Sequence, residues 1–141
     1  MEKTRVLFLC TGNSARSQMA EALLRKHAGD QFEVYSAGLE PKAINPYTVK
    51  VLEEIGIDTS HLYTKALSIF MGTQSFNYLI TVCSKADEKC PIFSGMGIRL
   101  RWPFDDPAAF EGNEQEKLAK FRIIRDQIDE KIRGWLTEQR Q

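Results

Sequence analysis

Five side chains carry most of the chemical promise of this 141-residue chain: Cys10, Arg16, Cys83, Cys90 and Asp106. The first two share one stretch, Cys10-Thr11-Gly12-Asn13-Ser14-Ala15-Arg16-Ser17, between an apolar run, Val6-Leu7-Phe8-Leu9, and a helical pattern. That order predicts a strand, a tight loop and a helix start in a row. A loop closing onto a helix N-terminus turns backbone N–H groups inward, and the helix dipole favours an anion there. Cys10 at the loop's first position meets the same positive field, which favours the thiolate, its nucleophilic form. The planar guanidinium of Arg16 is a fork suited to a tetrahedral oxyanion. Thr11, Gly12, Asn13, Ser14 and Ala15 supply the rest of the cradle, Asn13 tolerating a left-handed backbone. Ser17, at the loop's end, is placed to hydrogen-bond the thiolate. The stretch reads as a nucleophilic cysteine in an oxyanion-binding loop.

The elements that position these residues follow from periodicity. Residues 5–9 read as a buried parallel strand. From Ser17 a helix sets Met19, Ala20, Leu23, Leu24 and His27 on one face, leaves Glu21, Arg25 and Lys26 off it, and ends at Gly29-Asp30. A second strand alternates over 32–37 and breaks at Gly38; 39–44 is a loop. Asn45 as N-cap and Pro46 at the first helical position open the next helix. Its apolar positions are Val49, Leu52 and Ile55, and Gly56 closes it. Residues 58–66 look irregular, and a short helix spans about 67–72.

Tyr78-Leu79-Ile80-Thr81-Val82 is the third strand and delivers Cys83 at its C-terminal end. Residues 84–97, with charges, Pro91 and two glycines, read as a long mobile connection. A fourth strand over 98–102 stops at Pro103, and Phe104-Asp105-Asp106-Pro107 is a turn. The final helix runs from about Glu114 to Leu136, its apolar positions Leu118, Phe121, Ile124, Ile128, Ile132 and Trp135 stepping by three or four. Strand–helix alternation throughout implies one α/β domain over 1–141, a three-layer sandwich with a four-stranded parallel sheet and helices on both faces. In such folds the site lies beyond the carboxyl ends of the strands, the edge to which Cys10, Cys83 and Asp106 all belong.

Composition excludes several classes. Nineteen basic residues balance nineteen acidic ones, so the charge points to neither nucleic acid nor a membrane surface. No apolar run approaches the roughly 20 residues of a membrane span, and no signal-peptide core precedes the first strand. A cytoplasmic location is the expectation, where cysteines serve catalysis or redox chemistry more than stapling. Three cysteines make an odd number for a disulfide framework, and His27 and His61 form no zinc spacing with them. No metal is expected, and no flavin or nicotinamide motif is present.

Cys-x5-Arg-Ser directly after the first strand, with a late Asp106-Pro107, resembles the low-molecular-weight protein tyrosine phosphatase family. Further features resemble its thioredoxin-coupled arsenate reductase branch. They are the Cys-Thr-Gly-Asn-Ser loop with Gln18-Met19-Ala20-Glu21, the Val34-Tyr35-Ser36-Ala37-Gly38 strand, the Cys83-x6-Cys90-Pro91 pair and Trp102-x-Phe104-Asp105-Asp106-Pro107. The resemblance implies that Cys10 attacks arsenate held by the loop amides and Arg16, with Asp106 as general acid. It further implies that Cys83 then attacks Cys10 and expels arsenite, that Cys90 moves the disulfide to Cys83–Cys90, and that thioredoxin reduces it. Family and size imply a monomer.

A physical argument runs beside the resemblance. Reducing arsenate takes two electrons, and thiols are the only carriers the sequence offers. A phosphatase needs the thiolate, the cradle and the acid, and has no use for two further cysteines. Tyrosine phosphatases of this family place aromatic residues near the Asp-Pro, where this chain has Ala108-Ala109-Phe110. Hydrolysis of aryl phosphates through a Cys10 phospho-enzyme stays open as the alternative, as does glutaredoxin with glutathione as donor. An inactive anion-binding adaptor is a third reading, against which the intact Cys10, Arg16 and Asp106 set speaks. Some relatives bind potassium beside the loop through residues matching Asn13, Glu21 and Ser36 and an aspartate where this chain has Lys65, so here the lysine itself is expected to supply the positive charge.

Overall fold

The central strand, β1 (Thr4–Cys10), pairs in parallel with β2 (Phe32–Gly38) on one side and β3 (Tyr78–Thr81) on the other. Strand β4 (Ile98–Arg101) joins β3, giving the order β2-β1-β3-β4. The computed structural model describes residues 3–139. Val6, Leu7, Phe8 and Leu9 are fully buried, so both faces of β1 are covered, as an unbroken apolar run requires.

Aromatic rings show what covers each face. On one, Phe8 meets Trp102 at 6.0 Å between ring centres, and Trp102 meets Trp135 of helix α4 (Glu114–Gln139) at 5.8 Å. On the other, Tyr35, whose partner across the ladder is Leu7, packs edge-on against Phe70 and Phe76. Each such pair adds about 0.5–1.5 kcal/mol beyond the area it buries. Helix α1 (Arg16–Ala28) and α2 (Pro46–Glu53) both pack on α4. A reciprocal pair of bonds opens α4: Asn113 Oδ1 accepts from the Glu116 N–H, and Glu116 Oε1 from the Asn113 N–H. Among the described residues no helix is long and apolar enough to cross a membrane. The expected parallel sheet between helical layers is the one that forms.

Five local expectations are corrected. Helix α1 begins at Arg16, so Arg16 and Ser17 belong to its first turn and the loop is shorter than the spacing suggests. Glu21, expected off the apolar face, is buried, because Ser36 and Arg25 meet its two oxygens inside the fold. In α2 the buried positions are Thr48, Val51 and Leu52, and Val49 is half-buried; the Thr48 hydroxyl donates to Ser14 O at 2.9 Å and draws that face inward. The helix expected over 67–72 is a single 3-10 turn, Leu67–Ile69. The largest correction falls within 84–97, where a third helix, α3 (Ser84–Lys89), replaces the start of the connection.

Candidate active site

Strands β1 and β3 end side by side and carry Cys10 and Cys83 to one cavity of about 670 Å³. Loop residues Thr11, Gly12, Ser14 and Ala15 line it with Arg16, and Phe104, Asp105 and Asp106 come from the turn after β4. Exposed Lys42 and Lys85 also line it, as does Ala108.

The loop's shape comes from its neighbours. The N–H groups of Leu39, Glu40, Lys42 and Asn45 donate to the carbonyls of Cys10, Thr11, Gly12 and Ser14. Each trans peptide points its N–H opposite its C=O, so fixing those carbonyls outward aims the following amides at the cavity. Asn13 makes the turn at φ 52°, the left-handed region its side chain tolerates. That side chain is buried and anchored: Nδ2 donates to Ser17 Oγ at 2.7 Å and Ser36 Oγ at 3.0 Å, and Oδ1 accepts from the Lys65 N–H at 2.9 Å.

Cys10 Sγ accepts the Asn13 N–H at 3.2 Å and lies 2.8 Å from Ser17 Oγ. Because the Ser17 oxygen already accepts from Asn13, its own hydrogen is free for the sulfur. Two donors thus converge on Cys10 and stabilise negative charge there. Arg16 Nη1 donates to Phe104 O at 2.9 Å, and Nη2 stands 3.8 Å from an Asp106 carboxylate oxygen. The other Asp106 oxygen accepts the Ala108 N–H at 2.9 Å, which fixes the Asp-Pro turn.

The remaining thiols cap the two ends of α3. Cys83 Sγ accepts the Ala86 N–H at 3.4 Å and lies 3.5 Å from Thr11 Oγ1. Cys90, at the far end, is buried outside the cavity, and its thiol donates to Pro91 O at 3.5 Å. Burial pushes the Cys90 thiol up; Arg99 opposes and Asp87 adds to the rise. Cys90 in the resting protein is therefore expected to alkylate more slowly than an exposed thiol at neutral pH. Its rate should still be rising with pH at the ordinary thiol value of 9.0, where that of an exposed thiol levels off. Mass mapping of iodoacetamide-labelled cysteines across pH reads this, and labelling of Cys90 at the free-thiol rate would contradict it.

Behind the loop, Lys65 is buried, with Nζ 2.7 Å from Tyr63 O and 3.7 Å from Glu21 Oε1. Glu21 Oε1 also accepts the Ser36 hydroxyl at 2.5 Å. An ammonium thus already stands on the carboxylate that a potassium ion would use, and the Asn13 amide presents N–H donors to Ser36. This donor set does not fit the cation.

A profile of the family described as low molecular weight phosphotyrosine protein phosphatase matches residues 5–141. The chain belongs to this family. Within the family's range of sequences, an arsenate reductase of Bacillus licheniformis is 45% identical over 133 residues, covering 94% of this chain and 95% of that protein. An arsenate reductase of Bacillus subtilis is 41% identical over the same length and the same shares of each chain. A solved structure titled as an arsenate reductase in the phosphate binding state has a TM-score of 0.80 at 27% identity, covering 96% of this chain and 98% of that one. The thioredoxin-dependent arsenate reductase of Corynebacterium glutamicum has a TM-score of 0.70 at 32% identity, with 96% of this chain matched to 61% of that longer one.

The structure thus gathers Cys10, Arg16, Cys83 and Asp106 at one cavity and leaves Cys90 outside it. Sequence reasoning missed Lys42 and Lys85. Both lie just beyond the carboxyl ends of strands, which is the signal that could have found them.

Proposed function

We propose that this protein reduces arsenate to arsenite through Cys10, Cys83 and Cys90, with thioredoxin as electron donor. One observation carries the reading: Cys83 shares the cavity with Cys10, and the Thr11 hydroxyl stands beside its sulfur. Hydrolysis needs no second thiol at that place. The named activity of the relatives supports the same conclusion.

In the proposed course, arsenate rests on the loop amides and the Arg16 fork. The Cys10 thiolate forms an S–As bond while Asp106 gives a proton to the departing oxygen, which leaves as water. Cys83 attacks Cys10 Sγ; the S–As electron pair stays with arsenic, which leaves as arsenite, and a Cys10–Cys83 disulfide forms. Cys90 attacks Cys83 Sγ, returning an electron pair to Cys10. A dithiol partner then reduces Cys83–Cys90. Lysines 42 and 85 favour a small hydrophilic anion at the mouth, and Ala108 stands where an aryl group would want an aromatic wall. The relay acts as a monomer and suits the reducing cytoplasm, where its thiols are regenerated.

The test mixes the protein with thioredoxin, its reductase and NADPH and follows NADPH oxidation on adding arsenate. Arsenate-dependent oxidation is expected. Its absence, beside brisk turnover of an aryl phosphate, would replace this reading by a phosphatase. Slow aryl phosphatase activity is expected as a side reaction, since phosphate and arsenate share shape and charge. With the Lys65 ammonium already on Glu21, turnover is expected to be equal in potassium and sodium salts; a several-fold potassium stimulation would refute the built-in cation.

A further inference from the structure

Asp87, a residue that the relay does not use, ties helix α3 to the sheet. Asp87 lies mid-helix on the face turned toward β3 and β4. Its Oδ1 accepts from Thr81 Oγ1 at 3.1 Å and from Arg99 Nε at 3.1 Å, and Arg101 Nε stands 2.7 Å from Oδ2. The Arg99 guanidinium also donates to the Asp87 backbone carbonyl. That carbonyl is among the last four of the helix, which have no partner inside it. One arginine from the edge strand therefore grips both the side chain and the C-terminal end of α3. The Asp87 and Arg99 side chains are 13% and 28% exposed, so solvent screens this pair only in part, whereas Arg101 is 75% exposed.

The helix this residue fixes is also the spacer between two thiols. Cys83 and Cys90 cap opposite ends of α3, and seven residue steps at helical rise put their Cα atoms about 10 Å apart. A disulfide requires about 4.4–6.8 Å. The pair cannot bond while α3 is intact, so oxidation must unwind it and break the Asp87 contacts.

We propose that Asp87, with Arg99, is a positioning latch that favours the dithiol form of the Cys83–Cys90 pair by holding α3 closed. This rests on the relay proposed above. The latch acts on the step in which the Cys90 thiolate attacks Cys83 Sγ, the Cys10–Cys83 bond breaks, Cys10 takes the electron pair and the Cys90 proton goes to water. Whatever stabilises the reduced, helical state makes the disulfide a stronger oxidant and easier for an external dithiol to reduce. The latch thereby trades a slower second step for ready regeneration.

The experiment equilibrates the full chain and its variants in dithiol–disulfide buffers and measures the fraction carrying Cys83–Cys90 by alkylation and mass. Asp87→Asn keeps the shape and removes the charge. Its equilibrium constant is expected to shift about tenfold toward the disulfide, equivalent to about 30 mV in potential. Arg99→Gln should do the same, and Arg101→Gln, at the exposed position, about twofold or less. Single-turnover transfer of the disulfide from Cys10–Cys83 to Cys83–Cys90 should quicken in Asp87→Asn, with retained aryl phosphatase turnover reporting an intact loop. A constant within about twofold of the parent in Asp87→Asn would overturn the latch. A parent protein that never forms Cys83–Cys90 at any buffer potential would overturn the relay itself, and the latch with it.

Discussion

Cys83→Ser is expected to abolish arsenite production while leaving aryl phosphate hydrolysis within a few-fold of the parent. The serine hydroxyl occupies the place of the thiol and keeps the Ala86 cap, so α3 and the cavity wall persist. What disappears is, among the described residues, the only sulfur that lines the cavity besides Cys10. Without it the Cys10–arsenic adduct has no reductant and returns to arsenate by attack of water. Cys90→Ser is expected to fail one step later, releasing one equivalent of arsenite per chain and stopping as the Cys10–Cys83 disulfide. Cys10→Ser should remove both activities, since it takes the nucleophile from the Asn13 and Ser17 donors. Quench-flow measurement of arsenite, paired with aryl phosphatase assays, separates the three. Repeated turnover of arsenate by Cys83→Ser would end the three-thiol relay.

The two halves of this prediction were unequally legible in the sequence. The anion loop announces itself locally: a buried apolar strand, Cys10, Gly12, Asn13 and a helix start mark its place in the sequence, although Leu39, Glu40, Lys42 and Asn45 fix its final shape. Parallel pairing follows too, because β1 lacks the alternation of a half-solvated strand. Helix α3 was not legible. Ser84-Lys85-Ala86-Asp87-Glu88-Lys89 has a single buried position, Ala86, and no apolar stripe. Its stability comes from outside the segment, from the Cys83 sulfur at one end and from Arg99 and Arg101 on β4. Glu21 was misplaced for the same reason. A carboxylate five residues into a helix reads as solvent-facing until Ser36 and Lys65, remote in sequence, are known to surround it.

The same dependence on remote residues makes Gly38→Ala the most disruptive single methyl near the site. Gly38 ends β2 opposite Cys10. A Cβ there would meet Thr11 O at 2.8 Å, Asn13 N at 2.9 Å and Asn13 Cβ at 3.0 Å. All three belong to the anion loop, two are backbone, and none can swing away as a long side chain would. Gly38 itself is pinned, its N–H donating to Lys65 O at 2.8 Å, so the loop must move. The amide that moves first is Asn13 N–H, the donor to Cys10 Sγ. Overpacking of this kind costs about 1–3 kcal/mol of stability. A displacement near 1 Å in a reacting constellation costs about 100-fold in rate. Both the arsenate and the aryl phosphate reactions are therefore expected to fall together by about that factor, because they share the loop and differ only afterwards. Urea unfolding and kcat/KM for both substrates read the two effects. A folded Gly38→Ala protein that loses only one of the activities would show that the loop does not serve both, and would separate the anion cradle from the thiol relay.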